Sequence, residues 1–166
     1  MNEPLDAGAA ASVLDSIRAL LNAEGVAFVE KAHAPTFTSE ESARARGEAL
    51  KIGAKALVMK TDDRYRLFVL PADRRVDSPS IKRQLGVKKM RFADAAELME
   101  LTGLVPGSVP PFGIPILPLE LIADPALGNN EKIAFNAGSL TTSIVMPFGD
   151  YQRLSGARWL AFSQPG

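Results

Sequence analysis

The chain contains no cysteine and a single histidine, His33. Without thiols there is no disulfide framework, no thiolate nucleophile and no cysteine-based metal site. One imidazole leaves a catalytic zinc site short of ligands. A Ser-His-Asp triad would call for a nucleophile elbow of the Gly-x-Ser-x-Gly type, and none occurs. Net charge is also lacking: 19 Lys+Arg balance 19 Asp+Glu, so any nucleic-acid contact has to come from a local patch. No apolar run approaches the ~20 residues that span a bilayer. The first residues lack the basic start and apolar stretch of a secretory leader. A cytoplasmic protein that engages no membrane is therefore expected. Glycine-rich phosphate loops of the P-loop or dinucleotide-binding type are missing as well, and no cofactor and no metal are expected.

What is present suits a globular chain. A length of 166 residues with 46% hydrophobic side chains fits one domain, residues 1–166, with an N-terminal helix at 8–25 and a core at 26–162. A chain of that size buries roughly 70% of its unfolded surface. Val13, Leu14, Ile17, Leu20 and Leu21 recur at helical spacing before Gly25. Residues 26–31 read as a strand and 33–37 as a loop. Thr38 with Glu41 forms a capping box that starts a helix running to about Arg46. Residues 54–60 and 65–70 read as two strands joined by the turn at 61–64, a hairpin. Ser78-Pro79 reads as an N-cap with proline at the first helical position, and Asp94 with Glu97 as a second capping box. Five prolines and three glycines between 103 and 118 exclude a helix there. Strands are predicted at 116–123, 132–136, 142–146 and 159–162, with a short helix at 150–154. Strands and helices mix without a strict βαβ rhythm. The expected class is mixed α/β, a curled, barrel-like mixed sheet with flanking helices.

Several segments have the chemistry for a site. Lys55 shares a strand face with Leu57 and Met59, so its ammonium either reaches the rim or enters a pocket. The stretch from Gly107 to Gly113 can expose backbone N–H groups to a carbonyl or an oxyanion. The small, polar turn after Phe135 can line a pocket. Arg74, Arg75, Lys82, Arg83, Lys88, Lys89 and Arg91 form the one concentrated basic segment, the kind of patch that phosphate contacts require. Taken singly, each is explained at least as well by an ordinary role: a solvated lysine, a rigid surface connection, a sheet-edge turn, a solvated helix. His33 reads as structural or as a pocket wall.

Taken together and in order, three stretches resemble one family. They are His33-Ala34-Pro35-Thr36-Phe37-Thr38 with its Glu-rich helix, Ala54-Lys55-Ala56-Leu57-Val58-Met59-Lys60, and the run from Gly103 to Gly113. The turn Asn136-Ala137-Gly138-Ser139 follows. This order resembles the YbaK/prolyl-tRNA editing superfamily, which includes free-standing ProX-type deacylases and the insertion domain of bacterial prolyl-tRNA synthetases. The resemblance implies a trans-acting aminoacyl-tRNA deacylase that hydrolyses the ester of a mischarged tRNA carrying a small amino acid such as Ala, Ser, Cys or Thr, without a metal. It places Lys55 at the functional lysine and Gly107 at the opening of a Gly-x-x-x-Pro motif closed by Pro111, with the Gly107 amide on the scissile carbonyl. It makes His33, Thr38, Met59, Pro111, Phe112, Gly113, Asn136, Ala137, Gly138 and Ser139 the substrate-binding set. Members that clear alanine carry a histidine near Phe135 where this chain has Asn136, which weakens the match to alanine as substrate. The implied partner is the acceptor end of a mischarged tRNA, touched by Arg74, Arg75, Lys82, Arg83, Lys88 and Lys89. A synthetase or elongation factor would present that tRNA, and no DNA is expected. A non-catalytic nucleic-acid- or synthetase-binding relative on the same fold is the alternative.

Overall fold

The structure is a computed structural model that describes residues 5–166, with side chains from residue 13 onward. Helix α1 (Leu5–Ala23) buries Val13, Ile17 and Leu21, and Gly25, at φ +65, turns the chain out of it. Strand β1 (Val29–Ala32) starts later than predicted. Val26 is buried under the end of α1 instead, its N–H donating to Leu21 O at 3.0 Å. Helix α2 (Ser39–Arg46) begins at Thr38, whose Oγ1 accepts from Glu41 N at 3.1 Å.

Strands β2 (Ala54–Thr61) and β3 (Arg64–Pro71) form the predicted hairpin, with Thr61 opposite Arg64. Asp62, at φ 55, takes the left-handed turn position. Its carboxylate accepts the backbone N–H groups of Lys88 and Lys89. Two short strands inside the basic segment escape sequence reading: β4 (Arg74–Val76) and β5 (Met90–Phe92). Between them lies α3 (Ser78–Leu85). Its N-cap is Asp77 and not Ser78, because the Asp77 carboxylate accepts from Ser80 N at 3.1 Å, so Pro79 falls one position further in. Helix α4 (Ala95–Thr102) opens on the expected reciprocal Asp94–Glu97 box.

The glycine- and proline-rich loop extends further than predicted, so β6 is confined to Glu120–Ala123. Residues 114–119 fold back on Gly113. Strands β7 (Lys132–Asn136) and β8 (Thr142–Pro147) follow, then α5 (Phe148–Leu154), β9 (Arg158–Trp159) and β10 (Ser163–Pro165). The strand predicted at 159–162 is absent beyond Trp159, because the Asp124 carboxylate takes the N–H groups of Phe162 and Ser163 in place of a ladder.

The hydrogen-bonded order is β5-β2-β3-β6-β9 in a mixed five-stranded sheet, β1-β8-β7 in an antiparallel three-stranded sheet, and β10-β4 as a pair. Strand β3 has both faces covered: Leu67 and Val69 point into the main core, while Phe68 and Leu70 point into a second cluster with Ile81 and Phe162. This is the two-residue alternation of a strand buried on both sides. A parallel bridge between Gly53 and Ala134 joins the two larger sheets. The class is the expected mixed α/β one. No closed barrel forms among the described residues.

Candidate functional site

A cleft of about 400 Å³ opens where the two larger sheets meet. One wall is the start of β2, with Lys55, Ala56 and Leu57; a second is the β1–α2 loop and first turn of α2, from Thr36 to Glu40. Gly107, Val109 and Asn136 close the floor. Lys55 is exposed, and its ammonium forms no ion pair among the described residues. Gly107 sits at φ +88, a conformation that glycine adopts freely and other residues do not. Its N–H donates to no protein acceptor among the described residues, while its carbonyl is fixed by Asn136 Nδ2 at 2.7 Å. The Gly107 amide is therefore a free donor, and Asn136 pins the next peptide along, the one that carries the Gly107 carbonyl.

Behind the floor lies a buried polar network. Asn136 Oδ1 accepts from Arg46 Nη2 at 3.0 Å and lies 3.0 Å from Ser143 Oγ, and Arg46 Nε donates to the same Ser143 oxygen at 2.8 Å. His33 Nε2 adds a further contact to Ser143 Oγ at 2.8 Å. Lys31 Nζ donates to the carbonyl of Arg46 at 2.6 Å and so ties the end of α2 to β1. Arg46 is 7% exposed. Burial lowers its pKa to about 10, against a smaller opposing influence of Glu48, whose carboxylate pairs with Lys132 at 2.9 Å. No carboxylate forms an ion pair with Arg46 among the described residues, so neutral oxygens alone satisfy this cation. Its Nη1 forms no hydrogen bond to the described residues and lies on the Gly53 side of the cleft.

The structure brings together Lys55, Gly107, Thr38 and Asn136 at the cleft. His33 stands one hydrogen bond behind it. Met59 and Phe112 do not line it. Met59 is on the same strand face as Leu57 but lies deeper, in the second cluster. Phe112 packs edge-on against Phe135 and Tyr151 in the main core. Pro111 and Gly113 are likewise buried: the Pro111 carbonyl accepts from Tyr151 OH at 2.7 Å, and a Cβ on Gly113 would meet Leu119 O at 2.4 Å. Ala137, Gly138 and Ser139 form the β7–β8 turn outside the cleft lining. In the basic segment Arg74 is committed to Ser163, whereas Arg75, Arg83, Lys88 and Lys89 are exposed and Lys82 half-buried. Ala72 lines the cleft, so this segment departs from its edge. Arg46 and Ser143 were not singled out from the sequence. Arg46 looks like an ordinary basic residue in the last turn of a helix, and only the fold shows that it is buried.

Residues 33–154 match the family model of the aminoacyl-tRNA editing domain. The multifunctional Ser/Thr-tRNA deacylase ProXp-y of Escherichia coli (strain K12) is 38% identical over 142 residues, covering 82% of this chain and 84% of that protein. A proline–tRNA ligase of Shouchella clausii is 33% identical over 100 residues, covering 60% of this chain and 17% of the ligase. A solved structure described as a candidate trans-editing enzyme for prolyl tRNA synthetase superposes with TM-score 0.76 at 26% identity, covering 92% of this chain and 97% of that one. The chain belongs to the aminoacyl-tRNA editing domain family. Its activity is that of a hydrolase, an aminoacyl-tRNA deacylase. No helix among the described residues is long and apolar enough to cross a membrane.

Proposed function

We propose that this chain clears serine and threonine from mischarged tRNA in trans, with the Gly107 amide on the ester carbonyl and the Lys55 ammonium beside it. The observation that carries the reading is the free Gly107 donor, next to a carbonyl pinned by Asn136, in a cleft that also presents Lys55. Water or the neighbouring ribose hydroxyl attacks the carbonyl carbon. The bond to the ribose oxygen breaks, that oxygen gains a proton, and water ultimately supplies the hydroxyl of the released amino acid. An aminoacyl ester is already activated. A thousandfold acceleration requires roughly 4 kcal/mol, of which one preorganised donor supplies about 3 kcal/mol. The remainder falls to the ammonium.

The choice of serine and threonine draws support from the similarity to ProXp-y and from the lining itself. Thr36, Ser42 and Asn136 put hydroxyl and amide groups around the cleft. Polar groups of this kind favour a substrate hydroxyl over an isosteric methyl. The exposed cations Arg75, Arg83, Lys88 and Lys89, with the half-buried Lys82, would meet acceptor-stem phosphates. Binding would then weaken as salt rises. A synthetase or elongation factor would present the tRNA, and the work would lie in the cytoplasm, where charged tRNA is used.

The test is a deacylation panel with tRNA charged with serine, threonine, alanine, cysteine or proline, run with wild type and Lys55→Ala. Release of serine and threonine that is lost in the folded Lys55→Ala variant is the expected result. Release at the spontaneous rate from every tRNA, or an undiminished Lys55→Ala enzyme, would overturn the proposal.

A further inference from the structure

Four large hydrophobic side chains stand exposed among the described residues: Val29, Phe37, Phe92 and Ile114. Of these, Phe37 alone lines the cleft, at 69% exposure. Its position is set by the backbone on both sides. Thr36 is buried, its N–H donating to Leu140 O at 3.2 Å and its Oγ1 paired with Ser42 Oγ at 2.8 Å. Thr38 caps α2. Four residues before Phe37, His33 N donates to Thr141 O at 2.9 Å and its ring contacts Ser143. The chain on either side of Phe37 is thus anchored to the β7–β8 turn and to α2, and the ring is held outward at the lip. Full burial of such a ring is worth ~1.5–3 kcal/mol. Leaving it out forgoes much of that, and the same free energy is recovered when a ligand covers it.

The deacylase reading, on which this inference rests, fixes what leaves the cleft at that lip. With the ester carbonyl on Gly107, the ribose fills the interior and the base attached to it must exit through the mouth, where Phe37 stands. The terminal nucleotide of every tRNA is adenosine. The site therefore needs affinity for this base and no discrimination among bases. An aromatic face supplies that without a hydrogen-bond partner, and the exposed Lys55 on the β2 wall leaves the same mouth cationic for the adjoining phosphate. We propose that Phe37 is the platform on which the terminal adenine of the aminoacyl-tRNA stacks.

Phe37→Ala, Phe37→Leu and Phe37→Trp separate stacking from mere apolar contact, since Phe37 is exposed and none of them disturbs the core. Base–aromatic stacking is worth ~1–3 kcal/mol. Phe37→Ala is therefore expected to lower kcat/KM on seryl-tRNA by about 5- to 100-fold at ~1.4 kcal/mol per decade. Phe37→Leu should fall in the same direction, and Phe37→Trp should keep wild-type activity. Hydrolysis of serine ethyl ester, which has no base, should be the same in all four proteins. Calorimetry with a non-hydrolysable seryl-adenosine, its ester replaced by an amide, reads binding independently of turnover. Its dissociation constant should rise in Phe37→Ala and Phe37→Leu and hold in Phe37→Trp. An equal constant in wild type and Phe37→Ala overturns the platform. So does a Phe37→Leu protein that matches wild type, or an ethyl-ester rate that drops in step with the tRNA rate. A wild type that binds the analogue through Phe37 yet releases no amino acid from any tRNA leaves the platform standing and refutes the deacylase reading instead.

Discussion

Replacing Arg46 should separate stability from catalysis. Burial holds its pKa at about 10. Against an ordinary arginine at ~12.5, that gap is roughly 3 kcal/mol of desolvation cost carried at neutral pH. Opposing it are two hydrogen bonds from a charged donor, to Ser143 Oγ at 2.8 Å and Asn136 Oδ1 at 3.0 Å, each worth ~1.5–3 kcal/mol. Arg46→Met keeps an unbranched apolar stem and removes both the charge and the bonds. The net loss of stability is then between about zero and 3 kcal/mol, a fall in Tm of at most about 10 °C for a chain of this length. Because the folded-state pKa is depressed, the unfolded chain binds more protons from pH 10 upward. This group's contribution to stability therefore rises with pH from about 10 to the ordinary arginine value, and the variant loses that rise.

Catalysis should suffer more than stability. Without the guanidinium, Asn136 Oδ1 keeps Ser143 Oγ as its one remaining partner, and the amide group is freer to rotate. Nδ2 then no longer holds the Gly107 carbonyl in place. Removing an oxyanion donor outright costs about 10²–10³-fold in kcat, and a loosened donor should cost roughly 10- to 100-fold with little change in KM. Arg46→Lys keeps the charge but offers one ammonium in place of a planar fork, so it should fall in the same range. Single-turnover deacylation and thermal unfolding read the two effects separately. An Arg46→Met protein that melts within these limits and still deacylates at the wild-type rate would refute the link from Arg46 through Asn136 to Gly107.

Asn136→Asp keeps an acceptor for Arg46 and removes the donor to Gly107, so Tm should change little while single-turnover deacylation falls at least about 10-fold. Gly113→Ala would set a Cβ 2.4 Å from Leu119 O in buried surroundings and should lower stability in denaturant titration by ~2 kcal/mol or more. Gly107→Ala meets only Leu140 at 3.4 Å, so its stability loss should be the ~1–2 kcal/mol of a left-handed alanine, with activity in the deacylation assay as its main casualty. Glu97 is held well below the ordinary carboxylate range by Arg91, then by Tyr65 and the Asp94 backbone. The stability advantage of wild type over Glu97→Gln should therefore be present at pH 7 and shrink as pH falls below the ordinary range toward the folded value, read as Tm against pH.

The parts of the fold that the sequence made legible are those in which local chemistry and tertiary context agree. The Thr61–Arg64 hairpin, the Asp94–Glu97 box and strand β7 stand where turn residues, caps and alternation put them. Disagreements arise where a competing partner wins, near or far in the chain. Asp77 takes the cap from Ser78 by bonding Ser80 N, and Asp124 claims the N–H groups of Phe162 and Ser163. At the site, Lys55, Gly107, Thr38 and Asn136 were within reach because each lies in a stretch with a pattern. Met59 and Phe112 share those stretches but point into the two cores, which spacing along a motif does not reveal. Arg46 carries no local mark at all. Its importance comes from Ser143 and Asn136, ninety or more positions away in the chain.

The buried residues of the Gly-x-x-x-Pro segment still bear on the chemistry, through rigidity. The segment is held at both ends by side chains from elsewhere: Asn136 Nδ2 takes the Gly107 carbonyl and Tyr151 OH takes the Pro111 carbonyl. Phe112 is wedged edge-on between Phe135 and Tyr151, and Gly113 lies against Leu119 with no room for a Cβ. The opposite wall is tied to this one through the Gly53–Ala134 bridge, two residues before Lys55 and two before Asn136. A Cβ on Gly53 would come within 2.9 Å of Ala72 Cβ, so glycine there lets the chain just past β3 pack closely against the start of the Lys55 wall. An amide donor lowers a barrier only if it need not reorganise as charge develops. Here the donor, its pins and the facing lysine are all referred to the same two sheets. The acceptor end of a substrate then meets a site whose geometry the core has already set, and the exposed lip at Phe37 is the part left for the substrate itself to cover.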